Sequence, residues 1–154
     1  MARNQEQRIK TLFLQPAESY TLREVAALTA IPVRKLRREA ASGDRDASKV
    51  RGSWRFTWRQ AVYVAMERWT LAEIQDALGE DAANALPPLL ALRAVTVRLP
   101  EYIVRALEVI AANDGTTFDD ALRAELIEFA GSHSGRMEAE VPGFRAAYLF
   151  PGPA

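Results

Sequence analysis

Basic side chains are concentrated in one short stretch of the chain, residues 21–59. This stretch holds ten Lys or Arg and four Asp or Glu, a net charge of +6, although the 154-residue chain as a whole is neutral. Clustered guanidinium and ammonium groups bind polyanions, because each one neutralises a phosphate and releases its counterion. The stretch therefore predicts contact with a nucleic acid. The basic residues that we assign to this contact are Arg23, Arg34, Lys35, Arg37, Arg38, Lys49, Arg51 and Arg55.

The remainder of the chain has the opposite charge. Residues 60–154 hold seven basic and fourteen acidic residues, a net charge of −7, and the first twenty residues contribute +1. A basic module joined to an acidic one indicates a protein that touches a polyanion with one part only.

Other kinds of chemistry lack the residues they need. The chain has no cysteine, which excludes disulfides, thiolate metal sites and cysteine nucleophiles. It has no glycine loop of the Walker or dinucleotide-binding type. No nucleophile, base and orienting group occur together, and the single histidine, His133, lies among Ser and Gly. We therefore expect no enzymatic activity, no cofactor and no metal site.

No apolar run approaches the length of a membrane span, and the N-terminal residues lack the apolar core of a secretory signal. We expect a cytoplasmic, nucleoid-associated protein without a membrane partner.

Short helices and a hairpin position the basic side chains. Thr21 followed by Glu24 has the spacing of a capping box and predicts the start of a helix. Pro32 suits the first position of a second helix, which carries four of the basic residues on its outer face and is broken at Ser42-Gly43-Asp44. Gly52-Ser53 predicts the turn of a two-stranded hairpin. This order of elements is that of a winged helix-turn-helix, with the hairpin as the wing.

Two more helices complete the module. Thr57 predicts the cap of a third helix that runs to about Arg68. Thr70 and Glu73 have the spacing of a second capping box, and the helix that they begin extends to Leu78.

Residues 20–79 resemble the DNA-binding domain of the MerR and excisionase group. The shared pattern consists of Tyr20-Thr21-Leu22, Val33-Arg34-Lys35-Leu36-Arg37, Gly52-Ser53-Trp54-Arg55-Phe56 and Leu71-Ala72-Glu73-Ile74. The resemblance implies that Arg34, Arg37 and Arg55 contact DNA. The chain departs from the group at Gly43-Asp44-Arg45-Asp46, and it lacks the long coiled-coil helix and the effector-binding region of MerR regulators.

After residue 92 the apolar period changes from 3.6 to 2, which predicts a β-strand. One face of this strand is formed by Val95, Val97 and Leu99, and the other by Ala94, Thr96 and Arg98. Pro100 begins a helix that runs to about Asn113. Asp114-Gly115 ends it, and Thr116 or Thr117 caps a last helix to about Ala130.

Residues 93–130 resemble the ribbon-helix-helix fold of the Arc, MetJ and CopG group. The resemblance implies a homodimer whose two strands pair through Val95, Val97 and Leu99. It also implies that Thr96 and Arg98 face DNA, as candidate secondary contacts. Asp119 and Asp120 lie where the family holds a phosphate, and their charge repels DNA, so we expect this module to dimerise rather than to read DNA.

These boundaries divide the chain into five parts: an N-terminal arm (1–19), a winged helix-turn-helix (20–79), a helical connector (80–92), a ribbon-helix-helix module (93–130) and a C-terminal tail (131–154). The tail has an apolar cluster of Phe144, Tyr148, Leu149 and Phe150. Such a cluster either docks on its own core or binds a partner protein.

The expected fold is therefore mainly α. The expected function is sequence-specific binding of double-stranded DNA by a dimeric transcriptional regulator, a repressor. One alternative is an antitoxin that represses its own operon and binds its toxin through the C-terminal tail. Another is a protein-interaction module that has kept the fold without binding DNA.

Overall fold

A computed structural model of the chain describes residues 2–152 and divides them into two units. Unit 1 combines the residues up to Ala91 with the C-terminal segment from Leu149, and unit 2 comprises Leu92–Tyr148. Met1 and the last two residues of the predicted tail, 153–154, lie outside the described residues. The described chain is mainly helical, as predicted, with one small antiparallel sheet.

Unit 1 begins with a helix where an arm was predicted. Helix α1 spans Ala2–Leu14, and it buries Ile9, Leu12 and Phe13 in the core. These three residues have i, i+3, i+4 spacing, which places them on one helical face. The prediction was wrong because most of the other residues of this helix are polar, so its stability comes from packing against the rest of unit 1.

The sheet has three strands, one more than the predicted two-stranded wing. Strand β1 (Tyr20–Thr21) precedes α2 (Leu22–Thr29) and α3 (Val33–Ser42), and β2 (Ser48–Val50) and β3 (Ser53–Phe56) follow. Strand β3 lies in the centre and pairs antiparallel with both neighbours. The sheet therefore fixes the wing to the start of α2.

The turn of the wing lies one residue earlier than predicted. The strands pair so that Val50 faces Ser53, which leaves Arg51-Gly52 as the turn in place of Gly52-Ser53. Arg51 and Gly52 have φ values of 47° and 81°. A two-residue hairpin of this kind needs positive φ at both central positions, and glycine supplies it without steric cost.

The predicted helix caps are confirmed. Thr21 and Thr70 form capping boxes with Glu24 and Glu73, at the starts of α2 and α5 (Leu71–Leu78). Thr57 likewise caps α4 (Trp58–Met66), and its partner in the capping box is Gln60.

Five elements of unit 1, but not the exposed strand β2, each contribute a fully buried side chain to its core as follows. Val25 of α2, Leu36 of α3, Phe56 of β3, Val62 of α4 and Ile74 of α5 all belong to it. Burial of this apolar surface is the main force that holds the helices against the sheet.

The predicted connector is part of unit 1. It forms α6 (Ala82–Ala85) between two short 3-10 turns, Gly79–Asp81 and Pro88–Leu90. Leu86 is buried in the same core. Pro87 and Pro88 follow α6 and interrupt the helical connector.

Unit 2 is built on a helical hairpin of α7 (Glu101–Asp114) and α8 (Phe118–Ser132). Both helices match the prediction, with Gly115 in the left-handed region after α7 and Thr117 capping α8. The predicted tail is also helical in part, with α9 (Ser134–Glu140) and α10 (Phe144–Tyr148).

The strand predicted at 94–99 is not formed in the single chain. Residues 91–100 have no regular secondary structure, and residues 92–98 are exposed. A strand needs a neighbour to accept and donate its backbone hydrogen bonds, and the described part of the chain places none beside this segment.

Candidate nucleic-acid interface

A basic groove lies on unit 1 where the sheet meets α2 and α3. Its volume is about 560 Å³. Four cationic side chains line it: Arg23, Arg37, Lys49 and Arg55. All four belong to the set predicted from the sequence.

Each cation of the groove comes from a different element. Arg23 lies in the first turn of α2, and Arg37 lies on α3. Lys49 is on β2, with its Nζ atom 5.7 Å from the centre of the Trp54 ring. Arg55 is on the central strand, between Thr21 and Ser48 of the neighbouring strands. The fold therefore brings together charges that lie far apart in sequence.

These cations keep their charge available to a ligand. Within residues 2–152, none of the four has a salt-bridge partner within 4.0 Å. Glu24 is the acid whose charge Arg55 affects. The pKa of Glu24 is lowered mainly by its hydrogen bond from the Thr21 backbone, then by the Thr21 hydroxyl, and Arg55 adds a smaller contribution. Glu24 is thus held in the capping box.

The other predicted DNA contacts do not line this groove. Arg34, Lys35 and Arg38 are exposed on α3, and the Nζ of Lys35 lies 3.7 Å from a carboxylate oxygen of Glu39. Arg51 lines a second hollow of about 480 Å³ on the wing, which it shares with Arg55. The structure therefore extends the basic surface along α3 and along the wing, with Arg55 common to both hollows.

The three tryptophans pack in or against the core of unit 1. Trp69 is buried in the core, and Trp54 and Trp58 are half-buried against it. Trp54 also lines the groove, so its ring separates the core from the basic surface.

One residue of this region was missed in the sequence. Arg45 follows α3 in the stretch that departs from the MerR pattern, and it binds two carboxylates. Its Nε donates to Glu39 at 2.8 Å, and its two terminal nitrogens donate to the two oxygens of Glu67 at 2.9 Å each. These bonds join the end of α3 to the residue that follows α4. Local spacing predicts neither pair, because Glu39 lies six residues and Glu67 lies 22 residues from Arg45, and neither is a helical i, i+3 or i, i+4 separation.

In unit 2 the predicted dimer residues are solvent-exposed in the single chain. Val95 is 70% exposed and Val97 is 58% exposed, and Leu99 packs partly against the cluster of Leu107, Ala111 and Ala121. Thr96 and Arg98, the candidate secondary DNA contacts, are exposed beside them.

The acids at the start of α8 belong to its cap. Asp120 accepts hydrogen bonds from the Thr117 hydroxyl at 2.7 Å and from Arg123 at 2.9 Å. The bond from Thr117 is the main reason that the pKa of Asp120 lies below its usual value. A charged carboxylate therefore stands at this helix start.

The tail residues separate into two groups. Phe150 and the partly buried Leu149 belong to unit 1, where the ring of Phe150 packs against Phe13 and Trp58. Phe144 and Tyr148 stack on each other within unit 2, with ring centres 5.5 Å apart. Of the two interpretations of the tail, docking therefore describes Phe150, and binding of a toxin or another protein stays a prediction.

Among the described residues, no group of three or more His, Cys, Asp or Glu side chains is arranged to hold a metal ion, and no helix there is both long and apolar enough to span a bilayer. Comparison of the chain with protein-family models, with curated proteins and with solved structures finds no match.

Proposed function

We propose that this protein is a dimeric, sequence-specific regulator that binds double-stranded DNA through unit 1. The observation that carries the proposal is the basic groove, in which four cations from four elements converge without salt-bridge partners among the described residues. Several unpaired cations on one surface can neutralise the phosphates of a duplex and release their counterions.

The two ends of the basic surface fit different parts of a duplex. Exposed arginines on a short helix such as α3 suit base edges in a major groove, where an arginine forms paired hydrogen bonds with guanine. The wing and the start of α2 present Lys49, Arg55 and Arg23, which suit the neighbouring phosphates. The resemblance of residues 20–79 to the MerR and excisionase group supports the same division.

Unit 2 supports the proposal of a dimer. Its buried core has only three residues among those described, Leu107, Ala111 and Ala121. Its larger exposed apolar side chains are Leu92, Val95, Val97, Tyr102, Val109, Ile110, Leu126, Ile127, Phe129 and Tyr148. So much exposed apolar surface on a small unit is typical of an interaction site. A second copy can cover it, because the alternating segment 94–99 then gains a strand to pair with.

The test of DNA binding is the affinity for a duplex from the gene's own promoter region, measured by fluorescence anisotropy over a range of salt concentrations. We expect Arg37→Ala and Arg55→Ala each to weaken binding. A lost phosphate contact should lower the slope of log affinity against log salt by about one. A lost base contact should cost about 1–3 kcal/mol at one position of the site.

Arg68→Ala is the matched control, because Arg68 is an exposed arginine of unit 1 that does not line the groove. It should leave the salt slope unchanged. Unchanged affinity in the double variant of Arg37 and Arg55 would contradict the assignment. It would favour the alternative of an interaction module that does not bind DNA.

The division of roles between the units has its own test. Arg98→Ala should leave duplex affinity nearly intact, because the acids that follow Thr117 repel phosphate from unit 2. Arg34→Ala combined with Arg37→Ala should abolish specific binding. A loss of about tenfold or more with Arg98→Ala would instead assign DNA contact to the segment around Arg98.

A further inference from the structure

The C-terminal segment occupies an aromatic cleft on unit 1. The cleft, which we call the tail cleft, is formed by Phe13 of α1 and by Trp58, Arg59 and Tyr63 of α4. The ring of Phe150 stacks on Phe13 with 6.5 Å between ring centres. It meets the ring of Trp58 edge-on at 6.4 Å.

The residues after Phe150 are held at their backbone. Pro151 is buried. The hydroxyl of Tyr63 donates to the Gly152 carbonyl at 3.2 Å. Gly152 has a φ of +105°, and a Cβ atom there would lie 3.2 Å from the guanidinium carbon of Arg59. The cleft therefore contacts the ring of Phe150 and the backbone of Gly152. A side chain at position 152 would be strained by its φ and would require the Arg59 side chain to shift.

The walls of the cleft are joined to each other without the tail. The indole N–H of Trp58 donates to the Leu12 carbonyl at 2.8 Å, and the rings of Phe13 and Trp58 meet edge-on at 6.3 Å. Phe13 is in turn packed in the core of unit 1 with Ile9 and Leu12. The segment that fills the cleft comes from the far end of the chain, after unit 2. The cleft residues are therefore held in place by contacts with one another, and the tail segment binds to them.

We propose that the tail cleft is a peptide-binding site whose ligand is the chain's own segment Leu149-Phe150-Pro151-Gly152. The segment acts as a latch. When it is bound, the chain is attached to unit 1 on both sides of unit 2, through the residues that precede Leu92 and through those that follow Tyr148. A tethered ligand has an effective concentration on the order of millimolar. The latch therefore closes even if the affinity of the free peptide is modest.

The experiment measures binding of a labelled synthetic peptide, residues 146–152 with blocked ends, to full-length proteins. In the Phe150→Ala protein the ring that fills the cleft is missing, so the peptide should bind. The wild-type protein should bind it about tenfold or more weakly, because its own tail competes. Phe144→Ala is the matched control: it removes a different phenylalanine of the tail, which stacks on Tyr148 rather than in the cleft, so it should behave as wild type.

The peptide itself is varied in the same way. A Gly152→Ala peptide should bind the Phe150→Ala protein about tenfold more weakly or worse, since its Cβ would meet Arg59 and its φ is unfavourable. The indole N–H signal of Trp58 in the nuclear magnetic resonance spectrum should shift when the unsubstituted peptide binds.

Three outcomes would overturn the proposal. One is failure of the peptide to bind a folded Phe150→Ala protein. Another is equal binding of the peptide by the wild-type and Phe150→Ala proteins. The third is unfolding of unit 1 in both the Phe150→Ala and the Gly152→Ala proteins, because the segment would then be an integral part of the core. If only Phe150→Ala unfolds, the Gly152→Ala protein serves as the receptor and the same comparisons apply.

Discussion

At the scale of single residues, Arg45 connects α3 to the rest of unit 1. Its guanidinium binds Glu39 and Glu67 with five N–H donors to share, and 11% of its side chain is exposed. Paired hydrogen bonds between arginine and carboxylate fix direction as well as distance. Because Glu39 lies on α3 and Glu67 follows α4, the orientation of the basic face of α3 depends on this connection.

We expect Arg45→Met to destabilise unit 1 by about 1–3 kcal/mol, because it leaves the half-buried Glu39 without its main partner. Arg45→Lys should lose less, since it keeps the charge but not the paired geometry. Chemical denaturation measures both. Arg105→Met is the control: Arg105 also binds two acids, but its side chain is 70% exposed, so its loss should cost about 0.5 kcal/mol or less. Equal losses at positions 45 and 105 would contradict the interpretation.

The same variant has a signature in its dependence on pH. Hydrogen bonding to Arg45 lowers the pKa of Glu67 below its ordinary value of 4.5. A carboxylate whose pKa is lowered in the folded state stabilises the fold at pH values above its ordinary pKa. This contribution is lost as the pH falls through the folded-state pKa. The difference in stability between wild type and Arg45→Met should therefore be largest near neutral pH and should shrink below about pH 4.5. A constant difference down to pH 3 would show that Arg45 acts through packing alone.

Among single residues, the sequence predicts those whose partners are close along the chain. The capping boxes of Thr21 with Glu24 and of Thr70 with Glu73 were found because the two partners are three residues apart, which is a fixed distance in the first helical turn. The ion pair of Arg45 with Glu67 was missed because only the folded chain brings residues so far apart into contact.

At the scale of elements, the wing depends on a turn with two residues at positive φ. Arg51 adopts this conformation at some cost, and Gly52 adopts it freely. The resulting register pairs Lys49 with Trp54 and Ser48 with Arg55. The turn therefore determines where two cations of the basic groove, Lys49 and Arg55, lie along the sheet.

Gly52→Ala should destabilise the wing by about 1 kcal/mol, because an alanine at a φ of +81° is strained although no atom lies within 4 Å of its Cβ. Gly52→Asn should lose less, since asparagine tolerates the left-handed region better. Thermal unfolding of the two proteins gives the comparison. An asparagine variant as unstable as the alanine variant would mean that something other than backbone strain determines the loss.

The elements that sequence patterns missed are those that depend on distant partners. Strand β1 has two residues, too few to show alternation, and it exists because β3 lies beside it. Helix α1 has a short apolar face and is held by the core. Conversely, residues 94–99 alternate as a strand does but have no strand beside them in the single chain. Periodicity indicates what a segment is suited to form, and a neighbour decides whether it forms.

At the scale of the whole molecule, the two units differ both in their charged surface and in the size of their buried core. Unit 1 has the large core and the basic groove, and unit 2 has a small core and many exposed apolar side chains. The chain passes from unit 1 to unit 2 after Ala91 and returns after Tyr148. An unpartnered apolar surface would make the chain prone to aggregate, so we expect a partner to cover unit 2.

We predict that the partner of unit 2 is a second copy of the chain. Substitutions at two neighbouring residues of the segment 94–99 test this prediction. Val97 and Thr96 are both exposed in the single chain, so an aspartate at either position should be tolerated equally by a monomer. In a paired ribbon the two side chains point to opposite faces, because successive residues of a strand alternate. Val97→Asp would then bury an unpaired carboxylate in each protomer, and Thr96→Asp would place one on the outer face.

We therefore expect Val97→Asp to raise the dimer dissociation constant by about a hundredfold or more, which corresponds to about 2.8 kcal/mol, and Thr96→Asp to leave it nearly unchanged. Sedimentation equilibrium at micromolar protein concentration measures both constants. Since the change in charge is identical, a difference between the variants reports the face on which each residue lies. A folded wild-type monomer at that concentration, or equal effects of the two substitutions, would rule out pairing through this segment.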